Sequence, residues 1–221
     1  MAIRAIITGA TGMVGHAALL ECIENAEVEE VLVINRSALG LKHPKLKEVI
    51  HKDFFDLASI KKQLSGYNAC YFCIGVSSVG MSEEKYHRFT YDLTVSFAET
   101  VALLNEGLTF CYVSGAGTDS SEAKTIMWAR VKGKTENKLL SMPFKSAYMF
   151  RPGYIQPMKG VKTRVFIYQA AYKVLSPLYP ILKGVFPNGV TNSAQLGRAM
   201  ISVSKSGFPK MILETSDINS I

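Results

Sequence analysis

The residues Thr8-Gly9-Ala10-Thr11-Gly12-Met13-Val14-Gly15 decide the fold that this sequence predicts. They follow a short apolar run, Ala2 to Thr8, and lead into helical spacing of apolar residues from Met13 to Asn25. In such a unit the first glycine makes a tight turn, the second lets the backbone approach a diphosphate, and the third lets the helix pack on the strand. We therefore predict a dinucleotide site whose diphosphate is held at the start of the helix. Its contacts would come from Gly9, Thr11, Gly12, Met13, Val14 and Gly15.

The rest of the chain alternates strands and helices, as a doubly wound, mostly parallel sheet requires. Val31 to Ile34 is uncharged and rich in β-branched residues, which is typical of a parallel strand buried on both faces. Further predicted strands are Val49 to His51, Ala69 to Ile74, Phe110 to Ser114, Ala147 to Arg151 and Met211 to Leu213. Predicted helices are Leu57 to Leu64, Ser82 to Asn105, Ser121 to Leu140, Thr163 to Ser176, and Asn192 or Ser193 to Ser204. We expect a Rossmann-type α/β fold in one domain, 1–221, with a dinucleotide-binding core, 1–151, and a small substrate or partner lobe, 152–221.

Composition and charge exclude several classes of protein. Apolar residues make up 48% and charged residues 19% of the 221 residues, as in an ordinary globular protein. The first strand begins close to Met1, and the apolar stretch Val174 to Leu182 is far shorter than the roughly 20 residues that cross a bilayer. We expect a cytoplasmic protein with reduced core cysteines, no membrane span and no metal site. Lys124 to Lys183 contains twelve Lys and Arg residues and one acidic residue, Glu136, and a solvated basic surface is favoured there over an anion-binding role. A peripheral membrane or nucleic-acid role for this segment is a third and weaker alternative.

The end of the second strand indicates which dinucleotide is bound. NAD-binding proteins place a carboxylate there for the ribose hydroxyls, whereas this chain has Asn35-Arg36-Ser37. A guanidinium pairs with a 2′-phosphate, so Arg36 favours NADP over NAD, with Asn35 and Ser37 as added donors. An exposed loop arginine without a ligand is the alternative.

Residues after the third and fourth strands complete the predicted cofactor site. Asp53 is placed to bond the adenine amino group, with Phe54 beside it. Ile74 and Gly75 lie at the end of the fourth strand, where close approach of the backbone to the cofactor favours Gly75. All four are also compatible with ordinary turns.

The glycine loop, Ser114 at the end of the fifth strand and Lys132 in the next helix together resemble the short-chain dehydrogenase/reductases, specifically the short atypical members known as epimerase-like or NmrA-like NAD(P)-binding proteins. The resemblance covers residues 2–155. It implies that Ser114 orients a substrate carbonyl and that Lys132 holds the nicotinamide ribose. It also implies that Pro152, Gly153 and Tyr154 line the nicotinamide end of the site.

The chain departs from this family at the residue that usually transfers the proton. The segment reads Trp128-Ala129-Arg130-Val131-Lys132, with tryptophan where the family has tyrosine, and an indole has no usable acid ionisation. Other residues are candidate proton donors only because of their position in the predicted fold. They are Tyr154, after the sixth strand, and Tyr86, His87 and Tyr91, on the helix after the fourth strand.

Two functions are therefore open at this point. The first is an NADP-dependent oxidoreductase or epimerase-like enzyme acting on a small carbonyl or hydroxyl compound. The second is a non-catalytic regulator or redox sensor that binds NADP(H) and signals to a protein partner, because the fold does not decide the function.

Overall fold

The computed structural model describes residues 1–159 and 178–221. Its centre is a seven-stranded sheet in which neighbouring strands run parallel, in the order β3-β2-β1-β4-β5-β6-β9. The strands of this sheet are β1 (Ile3–Thr8), β2 (Val28–Asn35), β3 (Leu46–Ile50), β4 (Ala69–Phe72), β5 (Thr109–Val113), β6 (Ser146–Arg151) and β9 (Ile212–Glu214). A separate parallel pair joins β7 (Tyr154–Gln156) to β8 (Val190–Asn192). The predicted doubly wound fold is confirmed.

Helices cover both faces of the sheet, so successive residues of the central strands enter two different cores. In β1, Ile7 faces the core shared with α1 (Met13–Glu24), whereas Ile6 faces the opposite core. The remaining α-helices are α2 (Glu83–His87), α3 (Leu93–Leu104), α4 (Met127–Leu140), α5 (Tyr179–Val185), α6 (Ser193–Ser206) and α7 (Thr215–Ser220). The first core contains residues of α1, α6 and α7, and the second contains residues of α3 and α4. Burial on both faces explains why β4 and β5 contain no charged residue.

Three predicted helices differ from those of the structure. The helix predicted from Ser121 begins at Met127, because the Asp119 carboxylate accepts hydrogen bonds from the amides of residues 121, 123 and 124 and holds that segment as a loop. The long helix predicted over 82–105 is divided by a π-helical turn, Arg88–Asp92, between α2 and α3. The predicted helix 57–64 is a 3₁₀ helix, Ala58–Leu64.

The C-terminal part of the chain contributes to the main sheet. Strand β9 pairs with β6, and α6 packs against α1. The predicted cap of α6 is confirmed, since Asn192 Oδ1 accepts from the Gln195 amide at 2.8 Å. The helix predicted over 163–176 lies outside the described residues. The segment predicted as a separate lobe, 152–221, therefore also contributes the edge strand β9 to the main sheet.

Candidate dinucleotide site

The glycine loop joins β1 to α1 in a conformation that two of its glycines make possible. Gly9 has φ +70°, and a Cβ there would lie 2.8 Å from the carbonyl carbon and oxygen of Cys73. A Cβ on Gly15 would lie 2.5 Å from the Gly9 carbonyl oxygen. The sharp turn and the close packing of α1 on the loop therefore exclude side chains at both positions.

Gly12 has a different environment from the other two glycines. It is the N-cap of α1, with extended backbone at φ −94°, and a Cβ would meet only the Gly9 carbonyl oxygen at 3.3 Å. No side chain caps the helix, so its first amides have no side-chain acceptor. The partly exposed run Thr11 to Val14 thus presents backbone amides and the positive end of α1, which is the environment that a diphosphate needs.

The end of β2 separates the three residues that the sequence grouped together. Asn35 is buried, and its Nδ2 donates to Glu48 Oε1 at 3.4 Å, while Arg36 and Ser37 are exposed. Glu48 also accepts from the Leu39 amide at 2.9 Å, so this carboxylate on β3 shapes the loop after β2. Sequence reasoning missed Glu48, because its partners depend on the pairing of β2 with β3. Arg36 is left as the exposed cation at this strand end.

The predicted adenine-side residues fall in three environments. The exposed Asp53 accepts from the Phe55 amide through Oδ1 at 2.9 Å, which is a local turn contact. Phe54 is buried, with its ring centroid 6.2 Å from that of Phe97, and belongs to the core. Ile74 is partly buried against the same core, whereas Gly75 is exposed and a Cβ there would meet nothing within 4 Å.

Ser114 lies in a buried polar cluster at the carboxyl edge of the sheet. It is 4% exposed, and its Oγ donates to Glu136 Oε1 at 2.5 Å and lies 3.1 Å from the carbonyl oxygen of Phe150. Glu136, on α4, is fully buried and accepts from Arg151 Nε at 3.0 Å and from a second guanidinium nitrogen of the same side chain. Sequence reasoning missed both partners. The Glu136 carboxylate also holds the pKa of Arg151 above its usual value.

Lys132 and Trp128 lie one turn apart on α4 and reach the loop that follows β5. Lys132 Nζ donates to the carbonyl oxygen of Ser114. The Trp128 indole packs against Gly117, where a Cβ would lie 3.3 Å from Cη2. Burial lowers the pKa of Lys132 to about 8, and the nearby Glu136 carboxylate opposes this shift. A lysine with this pKa exchanges protons readily near neutral pH.

The loop between β6 and β7 is tied to its surroundings by backbone groups. The Pro152 carbonyl oxygen accepts from the Ala116 amide at 3.0 Å, and the Gly153 amide donates to Thr215 Oγ1 at 2.8 Å. The Tyr154 hydroxyl donates to Gln156 Oε1 at 2.9 Å. These contacts hold the loop beside the segment that carries Ser114.

The other named proton donors lie around α2 and the π-helical turn. Tyr86 is buried, His87 Nδ1 lies 3.3 Å from Asp92 Oδ1, and the His87 and Tyr91 rings are 4.7 Å apart. Within residues 1–159 and 178–221, no group of three His, Cys, Asp or Glu side chains is placed to hold a metal ion. In the same part of the chain, no helix is both long and apolar enough to span a bilayer.

These features define a class of fold. A parallel sheet with a glycine loop after its central strand and a lysine-bearing helix after β5 is the architecture of NAD(P)-binding Rossmann proteins of the short-chain dehydrogenase/reductase and epimerase type. The resemblance predicted from the sequence is therefore confirmed. No protein-family model matches the chain.

Solved structures agree with this class of fold. A short-chain dehydrogenase family protein from Francisella tularensis has a TM-score of 0.69 over 94% of this chain and 93% of that chain, at 12% identity. The enzyme WbmF of Bordetella bronchiseptica, solved in complex with NAD+, has a TM-score of 0.68 over 99% of this chain and 76% of that chain, at 13% identity. At these identities the likeness shows the fold alone.

Three curated proteins are similar in sequence. Protein FMP52, mitochondrial, of Meyerozyma guilliermondii is 26% identical over 154 residues, which are 69% of this chain and 65% of that protein. Leucinostatins biosynthesis cluster protein T of Purpureocillium lilacinum is 29% identical over 168 residues, which are 72% and 61% of the two chains. Protein HTATIP2 of Rattus norvegicus is 25% identical over 151 residues, which are 67% and 61%. The match covers less than two thirds of the length of each relative.

Proposed function

We propose that the chain binds a nicotinamide dinucleotide along the carboxyl edge of its sheet, and NADP(H) in preference to NAD(H). The observation that carries this proposal is the glycine loop, where Gly12 leaves room for a diphosphate beside the uncapped start of α1. Arg36, exposed at the end of β2, supports the preference for a 2′-phosphate, because Asn35-Arg36-Ser37 contains no carboxylate for ribose hydroxyls.

The proposed activity is that of an atypical oxidoreductase or epimerase-like enzyme on a small carbonyl or hydroxyl compound. A bound cofactor supplies or accepts a hydride. Lys132 holds the nicotinamide ribose and, with its pKa near 8, is the group best matched to proton transfer at neutral pH. Ser114, whose hydroxyl proton is donated to Glu136, orients a ligand hydroxyl by accepting a hydrogen bond from it. Trp128 fills the volume that a tyrosine would occupy.

A non-catalytic regulator or redox sensor, which binds NADP(H) and a protein partner, is the second candidate. This candidate is favoured because two hydroxyls that could act on a substrate are already hydrogen-bonded within the protein. Ser114 Oγ is bonded to Glu136, and the Tyr154 hydroxyl is bonded to Gln156. The two candidates differ in turnover, so NADPH oxidation with a panel of small aldehydes and ketones separates them. If the protein is an enzyme, it should oxidise NADPH in the presence of at least one of these compounds. If it is a sensor, it should bind NADPH without oxidising it.

Calorimetric titration tests the cofactor proposal. The parent protein should bind NADPH more tightly than NADH, and Arg36→Ala should weaken NADPH binding by about tenfold to a hundredfold, the value of one charge-assisted hydrogen bond. NADH affinity should not change. Lys61→Ala removes one exposed positive charge from the 3₁₀ helix and serves as the matched control. Equal affinities of the parent for NADPH and NADH would contradict the proposed preference.

The compartment is also part of the proposal. We keep the cytoplasm as the location, with a small molecule as the ligand and no nucleic acid as a partner. Because the name of the FMP52 relative includes the word mitochondrial, subcellular fractionation of the tagged full-length protein is the direct test. Enrichment with mitochondria would contradict a cytoplasmic location.

A further inference from the structure

Glu136 is a fully buried carboxylate that the proposed function does not use. Charged side chains are seldom fully buried unless they are paired. Its partners come from different parts of the chain, namely Ser114 after β5 and Arg151 at the end of β6. The Ser120 hydroxyl lies 3.5 Å from the second carboxylate oxygen. One side chain of α4 therefore joins the carboxyl ends of two neighbouring strands.

The chemistry of the side chains decides which group donates and which accepts in each hydrogen bond of this cluster. A guanidinium has only donors and remains protonated, so Glu136 accepts from Arg151 through both oxygens. The 2.5 Å separation between Ser114 Oγ and Glu136 Oε1 then uses the single serine proton. Ser114 Oγ consequently has only lone pairs left to offer to any other group.

Lys132 also contacts Ser114, but through the backbone of Ser114 rather than through its side chain. It precedes Glu136 by four positions, so both side chains lie on one face of α4. Lys132 Nζ donates to the Ser114 carbonyl oxygen, whereas Glu136 receives the Ser114 hydroxyl. The backbone and the side chain of Ser114 are thus both held by α4.

We propose that Glu136 is the positioning residue of this site. It orients Ser114 and anchors Arg151 at the start of the loop between β6 and β7. Its negative charge also stabilises the protonated form of Lys132. The part concerning cofactor affinity rests on the proposed function, and the part concerning Lys132 does not. Glu136 contacts neither cofactor nor substrate in this scheme. It acts through Ser114 and Lys132.

The other charged and titratable groups around the pair come from the neighbouring strands and helices. Arg151 of β6 is paired with Glu136, and it also contacts Glu214 of β9 at 3.3 Å. Tyr112 of β5 is buried near both Glu136 and Tyr86 of α2, and its pKa is raised far above the usual value, chiefly by burial. Tyr112 therefore stays neutral near pH 8, where Lys132 titrates.

The test compares Glu136→Gln and Glu136→Asp with the parent and with Glu30→Gln. Glu30 is a matched control, since its carboxylate also has several partners: Lys47 at 2.7 Å, the Tyr67 hydroxyl at 2.8 Å and Arg4 at 3.4 Å. It lies on β2, away from α4. Acetylation of Lys132 by acetic anhydride is followed across pH by mass spectrometry on the protein without cofactor. NADPH affinity is then measured through the fluorescence of Trp128, the single tryptophan of the chain.

Each variant has a distinct expected result. Glu136→Gln removes the negative charge that supports the Lys132 ammonium, so the acetylation midpoint should fall, and the rate at pH 7 should rise about fivefold if the pKa falls one unit from about 8. Glu136→Asp keeps the charge but withdraws the carboxylate by one methylene, so the midpoint should stay near that of the parent. Both variants should weaken NADPH binding by about tenfold or more, the lower end of the loss from breaking charged hydrogen bonds. Glu30→Gln should change neither readout.

The outcomes also separate this proposal from the proposed function. If Glu136→Gln remains folded and its Lys132 midpoint equals that of Glu30→Gln, the positioning role of Glu136 is wrong. Equal NADPH affinity in Glu136→Asp and the parent also contradicts it, and this second variant decides the matter if Glu136→Gln does not fold. If the parent itself fails to bind NADPH, the proposed function is wrong, while the acetylation midpoints still decide whether Glu136 governs Lys132.

Discussion

Substitution of Gly12 by valine should abolish most cofactor binding while leaving the fold intact. The backbone at Gly12 is extended, at φ −94° and ψ 169°, which a β-branched residue adopts without strain. Its new Cβ would meet the Gly9 carbonyl oxygen at 3.3 Å, so the loop must move by a few tenths of an ångström. The branched side chain would occupy the space through which the loop approaches a diphosphate.

The two effects differ in size. Losing glycine at an N-cap costs up to about 1 kcal/mol, and the reduced freedom of the unfolded chain offsets part of this cost. Two charge-assisted hydrogen bonds from loop amides to the diphosphate contribute about 3 to 6 kcal/mol together. At about 1.4 kcal/mol for each factor of ten, NADPH affinity should fall by roughly a hundredfold to ten-thousandfold.

The assay combines thermal unfolding by circular dichroism with calorimetric titration of NADPH. Gly15→Ala provides the contrast, because its Cβ would lie 2.5 Å from the Gly9 carbonyl oxygen and must disturb the packing of α1. Gly184→Ala is the neutral control, since a Cβ there meets nothing within 4 Å. If Gly12→Val unfolds at the temperature of the parent and binds NADPH equally well, the glycine loop does not hold the diphosphate.

Three further results should follow from the structure. Gly133→Ala should lower the free energy of unfolding by about 3 kcal/mol or more, measured by urea titration, because its Cβ would lie 1.7 Å from the Asp119 carbonyl oxygen; a change under about 1 kcal/mol would contradict this contact. The Ser121 hydroxyl and backbone amides that donate to the Asp119 carboxylate lower its pKa to about 2, so its stabilising effect is complete above about pH 4 and disappears as the pH falls towards 2. Asp119→Asn should therefore lose less stability between pH 5 and pH 2.5 than the parent, and parallel losses would refute this role. Trp128→Phe keeps an aromatic ring against Gly117 and should change any turnover by less than about tenfold, whereas a hundredfold loss in steady-state rate would show that the indole N–H takes part in catalysis.

The sequence alone determined the fold class and the place of the glycine loop. These depend on local features, because glycine spacing, β-branched runs and helical periodicity act over a few residues. The loop from Thr8 to Gly15, the strand ending at Asn35 and the cap at Asn192 are all of this kind. The start of α4 was predicted wrongly, because backbone amides that donate to the Asp119 carboxylate hold the preceding segment as a loop. The π-helical turn Arg88–Asp92 interrupts a helix that was predicted to be continuous.

Only the tertiary structure decided which side chains surround Ser114. Glu136 is 22 residues from Ser114 and 15 from Arg151 in the chain, and no local pattern marks the three as partners. They meet because β5 and β6 are adjacent parallel strands that end at the same edge, and α4 returns over that edge between them. Sheet pairing brings distant residues together, so the burial of Glu136 and the lowered pKa of Lys132 are properties of the assembled sheet rather than of any segment of sequence.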